Sequence, residues 1–180
     1  AAAAILAFAA QAAEAKITRI AITRTEPAFG GQSWGAVGAY ERLIGKAHGE
    51  VDPSSPLNAL IQDIGLAPRN ARGMVEYSTD IEILKPADMA KSNRMLVFEV
   101  VNRGNKLAVR NFNAGTSLAN AELNAMKSPG DGHLMAEGYT LVWFGWQADV
   151  LPGADRLTFT APAARNPDGT PITGVVRAEL

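Results

Sequence analysis

The sequence contains no cysteine. Disulfides, thiolate zinc sites and a cysteine nucleophile are therefore excluded. Histidine is nearly absent as well: His48 and His133 are too few for a histidine-built metal site, and no metal or other cofactor is expected. An excess of one charge is also lacking, because 17 basic residues meet 18 acidic ones for a formal net charge of -1. Such a balance gives no electrostatic footprint for nucleic acid or for an anionic membrane. No apolar run reaches the length of a membrane span, so no stable membrane insertion is expected. What is present is ordinary globular material: 47% hydrophobic and 19% charged residues in a chain of 180, enough for one domain with a core.

The front of the chain reads differently from the rest. Residues 1–13 are an apolar, alanine-rich run containing Ile5, Leu6 and Phe8, and Ala13-Glu14-Ala15 fits a small-x-small cleavage pattern. Residues 1–15 are read as the remnant of a secretory signal peptide cut before Lys16, so residues 16–180 are expected to be secreted or periplasmic. A basic segment and an initiator Met are missing, and 175–180 (VVRAEL) breaks off in strand-like sequence, so a fragment of a longer chain is expected. The oligomeric state is not legible.

Alternation of apolar and polar residues predicts strands at 16–25, half-buried, at 40–51, of edge type with Gly45 as a bulge, and at 74–84. Short loops between them suit antiparallel pairing. Residues 57–66 are short and ambiguous. The character changes at 95–101 (MLVFEVV), apolar except for Glu99 and without clean alternation, which is how a strand covered on both faces reads. Helix formers follow at 118–126 with Ser117 as a cap, then a helical turn at 131–138 (DGHLMAEG) with Leu134 and Met135 inward and Gly138 just past its end. A second apolar run, 139–146 (YTLVWFGW), completes a strand, crossover and strand, predicting a parallel βαβ unit. Strands at 157–161 and 172–178 would form a hairpin around Asn166-Pro167-Asp168-Gly169. The fold class expected is α/β: an antiparallel amino-terminal extension joined to an incomplete sheet with one parallel unit.

Three segments attract chemical attention. Gly31-Gln32-Ser33-Trp34-Gly35 fits the G-x-S-x-G pattern of serine hydrolases, but no buried strand precedes it and no helix former follows, so it reads as a glycine-rich loop. Asn102-Arg103-Gly104-Asn105 ends the first core strand, the edge of the sheet where ligands bind. Two readings fit its spacing. One is a plain strand-ending turn; the other is an oxyanion loop, with Gly104 and Asn105 offering backbone N–H groups and Asn102 and Arg103 touching substrate. Arg103 can fork onto a carboxylate or pair with Glu99. At the end of the next strand Trp146 and Gln147 sit where a pocket rim would be, whereas Trp143 and Phe144 read as core. Neither histidine has an acidic partner at diagnostic spacing.

Taken together, the segments ITRIAITRTEPAFGGQSWGAVGAYERLIGKAHGEVDP, LAPRNARGMVEYSTDIEILKP, EVVNRGNK, GYTLVWFGWQADV and PITGVVRAE resemble the front portion of a group of secreted, mostly uncharacterised proteins classed as an α/β-hydrolase domain family. The resemblance runs over nearly all of 16–180. It implies that 95–101 and 139–146 stand as the third and fourth strands of a hydrolase sheet, with VNRGNK in the place of the oxyanion loop. It also implies a catalytic serine, acid and histidine beyond residue 180, a carboxylic-ester substrate, and no activity in residues 16–180 alone. The contrasting expectation is a non-catalytic, β-rich binding or structural module with an all-antiparallel sheet.

Overall fold

A computed structural model describes residues 15–114, 126–153 and 155–175. The signal-peptide assignment for 1–15, the 118–126 helix with its Ser117 cap and the end of the 172–178 strand lie wholly or largely outside these residues.

Seven strands form one mixed sheet: β1 (Ala15–Pro27), β2 (Ser33–Trp34), β3 (Gly38–Val51), β4 (Val75–Pro86), β5 (Leu96–Val100), β6 (Thr140–Phe144) and β7 (Phe159–Thr160). The order is β1-β3-β4-β6-β5, with β2 on β3 and β7 on β4. Only β5 and β6 run parallel, Val97 opposite Leu141 and Glu99 opposite Trp143. Every other pairing is antiparallel. Two short helices are found among the described residues, α1 (Ala108–Phe112) and α2 (His133–Ala136). The expectation of an α/β fold is therefore wrong: the molecule is dominated by its sheet.

The described parts of the crossover are tied together by Asn113. Asn113 is fully buried, and its side chain donates to Pro129 O at 2.8 Å and accepts from Leu134 N at 2.9 Å. Gly130, at φ 63, presses on the Asn113 carbonyl, where a Cβ would come within 2.0 Å. This segment is stitched by side chain to backbone bonds, and neither helix exceeds five residues.

Strand positions correct other expectations. β1 is the outer strand and is exposed along nearly its whole length, whereas 40–51 lies inside the sheet between β1 and β4. The bulges fall in β1, where the register shifts between Ile17 and Arg19 and between Ile22 and Arg24. Gly45 faces this irregularity because a Cβ there would sit 2.1 Å from Ala21 O. β5 is not covered on both faces: it is the far edge, with Leu96, Phe98 and Val100 more than half exposed. Phe98 stacks on Phe144 on that open face, centroids 5.0 Å apart. Phe159–Thr160 of the 157–161 strand pairs with β4, and the Asn166–Gly169 turn is closed by an Arg165–Pro171 bridge and by Asn166 N–H on Thr170 O at 3.0 Å.

The core lies on the inner face of β4, β6 and β5. Leu84, Leu141, Trp143, Val101, Met135 and Leu134 meet there, closed at one end by Tyr40 and Trp34. Trp34 stands edge-on to both Phe29 and Tyr40, and the Tyr40 hydroxyl donates to Tyr139 O at 2.9 Å. Burying each large apolar side chain contributes about 1.5–3 kcal/mol. The GQSWG segment is thereby explained: Trp34 anchors the β2–β3 hairpin and Ser33 points away, exposed.

Candidate functional site

The carboxyl ends of the two parallel strands lead into one structure. After β5, the backbone turns tightly at 102–105, with Asn102 N and Asn105 N each donating to the other residue's carbonyl at 3.0 and 2.9 Å. Arg103 and Gly104 both have positive φ, 48 and 80, the signature of a tight primed turn. After β6 the chain leaves β4 at Gly145 and rejoins it at Phe159, so 145–158 forms an outward loop.

Asp80 of β4 pins both ends of that loop. Its carbonyl accepts from Gly145 N, its N–H donates to Thr158 O, and its carboxylate accepts from Thr158 N and Oγ1, each at 2.9 Å. Lys46 Nζ completes the cluster at 2.5 Å. Burial works against the Asp80 charge, but the hydrogen bonds from Lys46 and Thr158 outweigh it and hold the carboxyl below its usual range. Gly145 is required by the geometry, since a Cβ would lie 2.3 Å from Thr158 O.

The loop closes over the turn. Gly104 O accepts from Leu157 N at 3.0 Å, and a Cβ on Gly104 would approach Arg156 Cβ, Leu157 O and Val150 Cγ1 to within 2.8–2.9 Å. Arg103 donates to Asp149 Oδ2 at 3.2 Å, not to Glu99. Glu99 instead accepts from the first N–H groups around α1, Leu107 and Ala108, and from Trp143 Nε1 at 2.5 Å. Between turn and loop lies a cleft of about 250 Å³ lined by Arg103, Asn105, Val150, Leu151 and Arg156.

Thus the structure gathers the predicted residues in one place but changes their roles. The Asn105 N–H is committed to Asn102 O, and Gly104 is buried beneath the loop, so these two groups do not form an open pair of oxyanion donors. Asn102 is exposed beside the cleft, while Arg103 lines it. Trp146 and Gln147 do not line it. Trp146 Nε1 donates to Val101 O at 2.6 Å, and the Gln147 carbonyl accepts from Phe159 N. Arg156, which the sequence did not single out, takes their place: its Nη1 donates to Leu151 O at 3.3 Å, and its buried Nε has no partner among the described residues.

No family model, curated protein or solved structure matches this chain.

The residue after the turn leads into a second feature. Lys106, 2% exposed, donates from Nζ to Glu82 Oε2 at 2.5 Å. Arg42 forks onto the same carboxylate, Nε to Oε1 at 2.6 Å and Nη2 to Oε2 at 2.8 Å, and reaches Glu26 with Nη1. Burial lowers the Lys106 pKa to about 8, against the attraction of Glu82. A smaller cavity of about 170 Å³ lies against this cluster, bounded by Arg42, Glu82, Asp155 and Arg156 among others. Arg156 therefore stands between the outer cleft and the buried charges. The alternation of 74–84 carried a signal for Glu82: Leu84 breaks phase with Ile81 and Ile83 because the even-numbered face, 82 and 84, is the core side.

Ser33 makes no hydrogen bond to His48 or His133 among the described residues. His133 is exposed at the start of α2, with its backbone N–H on Asp131 Oδ1, and His48 lies on β3 opposite Ser78. No cluster of His, Asp and Glu suited to a metal ion occurs among the described residues. No described helix is long and apolar enough to cross a membrane.

Proposed function

We propose that this chain is the front portion of a secreted carboxylic-ester hydrolase and supplies part of its substrate cleft, while the nucleophile, acid and base lie beyond residue 180. The observation that carries this reading is the cleft at the carboxyl ends of β5 and β6, where ligands bind sheets with parallel strands. The resemblance of the segments from ITRIAITRT to PITGVVRAE to a secreted hydrolase family supports it, as does the lack of any Ser–His contact among the described residues. Arg103 and Arg156 give the cleft a positive lining, suited to an ester whose carbonyl oxygen gains negative charge during attack.

The experiment compares two polypeptides on a simple aryl ester: the chain of 180 residues, and the same chain extended by the coding sequence that follows Leu180. The extended protein turns the ester over and loses most of that rate on Arg156→Ala; the shorter one has no activity. Turnover by the shorter chain that Ser33→Ala abolishes would overturn the proposal. The dominance of the sheet favours a second reading, a non-catalytic β-rich binding module. Its all-antiparallel form is not what β5 and β6 adopt, and an inactive extended protein would favour it in other respects.

A further inference from the structure

Two cavities larger than the Arg103 cleft lie around Tyr77 of β4. One, of about 420 Å³, is walled mainly by apolar side chains, including Val51, Ile61, Ile64, Val75 and Phe159. The other, of about 440 Å³, sets the polar side chains of His48, Arg69, Asn70, Glu76 and Ser78 among apolar walls that include Pro68 and Pro162. Tyr77, Ala161 and Pro162 border both. The two are adjoining compartments of one site, each within the size range of small-molecule pockets.

The fold builds the partition between them. Tyr77 stands opposite Gly49 in the β3–β4 register, and its ring tip lies where a Gly49 Cβ would be, within 2.2–2.7 Å. Phe159 of β7 packs on the ring with centroids 5.5 Å apart. The Tyr77 hydroxyl has no hydrogen-bond partner among the described residues. In the Arg69 compartment, Glu76 already accepts from Asn70 Nδ2 at 2.7 Å, whereas Arg69 makes no ion pair within 4 Å among the described residues, though its charge helps hold the Asp52 carboxyl low. On the apolar side, Ile61 belongs to a loop that leaves Leu57, Leu60 and Leu66 exposed, and Leu60 is 95% exposed. That loop offers an apolar approach to the mouth.

We infer that this site binds a small amphiphilic carboxylate, its apolar body between Ile64, Val75 and Phe159 and its head on Arg69 beside the Tyr77 hydroxyl. The Arg69 guanidinium selects the charge of the head and the apolar walls select the body. The inference uses no residue of the Arg103 cleft and stands or falls apart from the ester-hydrolase reading.

Calorimetric titration of the chain with decanoate, decanol and decyltrimethylammonium, all below their micelle concentrations, tests it. Decanoate binds saturably at one site and decyltrimethylammonium binds at least about threefold more weakly. Ala161→Trp, at an exposed position that borders both compartments, abolishes decanoate binding while the circular dichroism spectrum stays unchanged. Arg69→Gln, also at the surface, weakens decanoate about three- to tenfold and leaves decanol unaffected. No saturable decanoate binding, binding that survives Ala161→Trp in the folded protein, or tighter binding of the cationic amphiphile would each overturn the assignment.

Discussion

Glu82 holds two cations in the interior of the sheet, and its removal takes from Lys106 and Arg42 the carboxylate they share. Glu82→Gln is expected to destabilise the protein by about 3–5 kcal/mol in urea titrations, because breaking a buried ion pair strands the remaining charge. Lys106→Met, which leaves the Arg42–Glu82 fork intact, is expected to cost far less. The same residue gives a pH dependence of known sign. The folded Lys106 titrates near 8, below its unfolded value of about 10.4, so between these pH values the unfolded chain binds the extra proton. Stability of the wild type relative to Lys106→Met should therefore rise from pH 8 to pH 10, by up to about 2 kcal/mol, in parallel urea titrations. A flat or falling difference would mean that the ammonium keeps its proton in the fold. Burial raises the Tyr40 phenol above its usual range, so stability from that group declines as pH climbs past the unfolded phenol value. None of this cluster is legible locally, because Arg42, Glu82 and Lys106 are 40 and 24 positions apart and meet only through strand pairing.

At the scale of elements, the outward loop and the turn beneath it behave as one unit. Gly104→Ala places a side chain at φ 80 and against Arg156, Leu157 and Val150. It should cost about 1–3 kcal/mol, and hydrogen exchange at the Leu157 N–H should speed up as the loop lifts. Exchange at Leu84, fully buried between β3 and β6, should stay slow until global unfolding. Asp80 sets a second condition on the loop. Its folded pKa is depressed, so its contribution is present above the unfolded carboxyl value and is lost as acid titrates the folded group. The loop should open in acid before the sheet melts, and Asp80→Asn should open it at neutral pH. On the other side of the sheet, β5 presents Leu96, Phe98 and Val100 along an unpaired edge. Leu96→Lys should leave stability within about 0.5 kcal/mol of the wild type and raise the concentration at which the protein aggregates, measured by light scattering.

Over the whole molecule, what the sequence disclosed was periodic and what it concealed was long-range. The strands β3 and β4 were readable because apolar and polar residues interleave along them and glycine and proline bound them. The inward Leu134 and Met135 of α2 were readable for the same reason. The parallel pair was readable as two apolar runs separated by a crossover, but the same runs suggested cover on both faces, which β5 lacks. Apolar composition alone does not tell a covered strand from an edge strand. The α/β class failed because a single parallel pair was given more weight than the antiparallel strands before it. A cleft lies at the strand ends where the apolar runs give way to polar residues, and Trp146 and Gln147 do not line it. Arg156 enters it through a loop anchored on Asp80, 78 positions before Thr158. The proposed function rests on that place in the fold.

The most direct test is labelling with a fluorophosphonate, which reacts only with an activated serine. Incubated with the chain of 180 residues and mapped by peptide mass spectrometry, it should leave Ser33 and every other serine unmodified. In the extended protein it should modify one serine beyond Leu180. A stoichiometric adduct on Ser33 would contradict the account, because the exposed hairpin serine would then be the nucleophile and the cleft beside Arg156 would not be where the chemistry occurs.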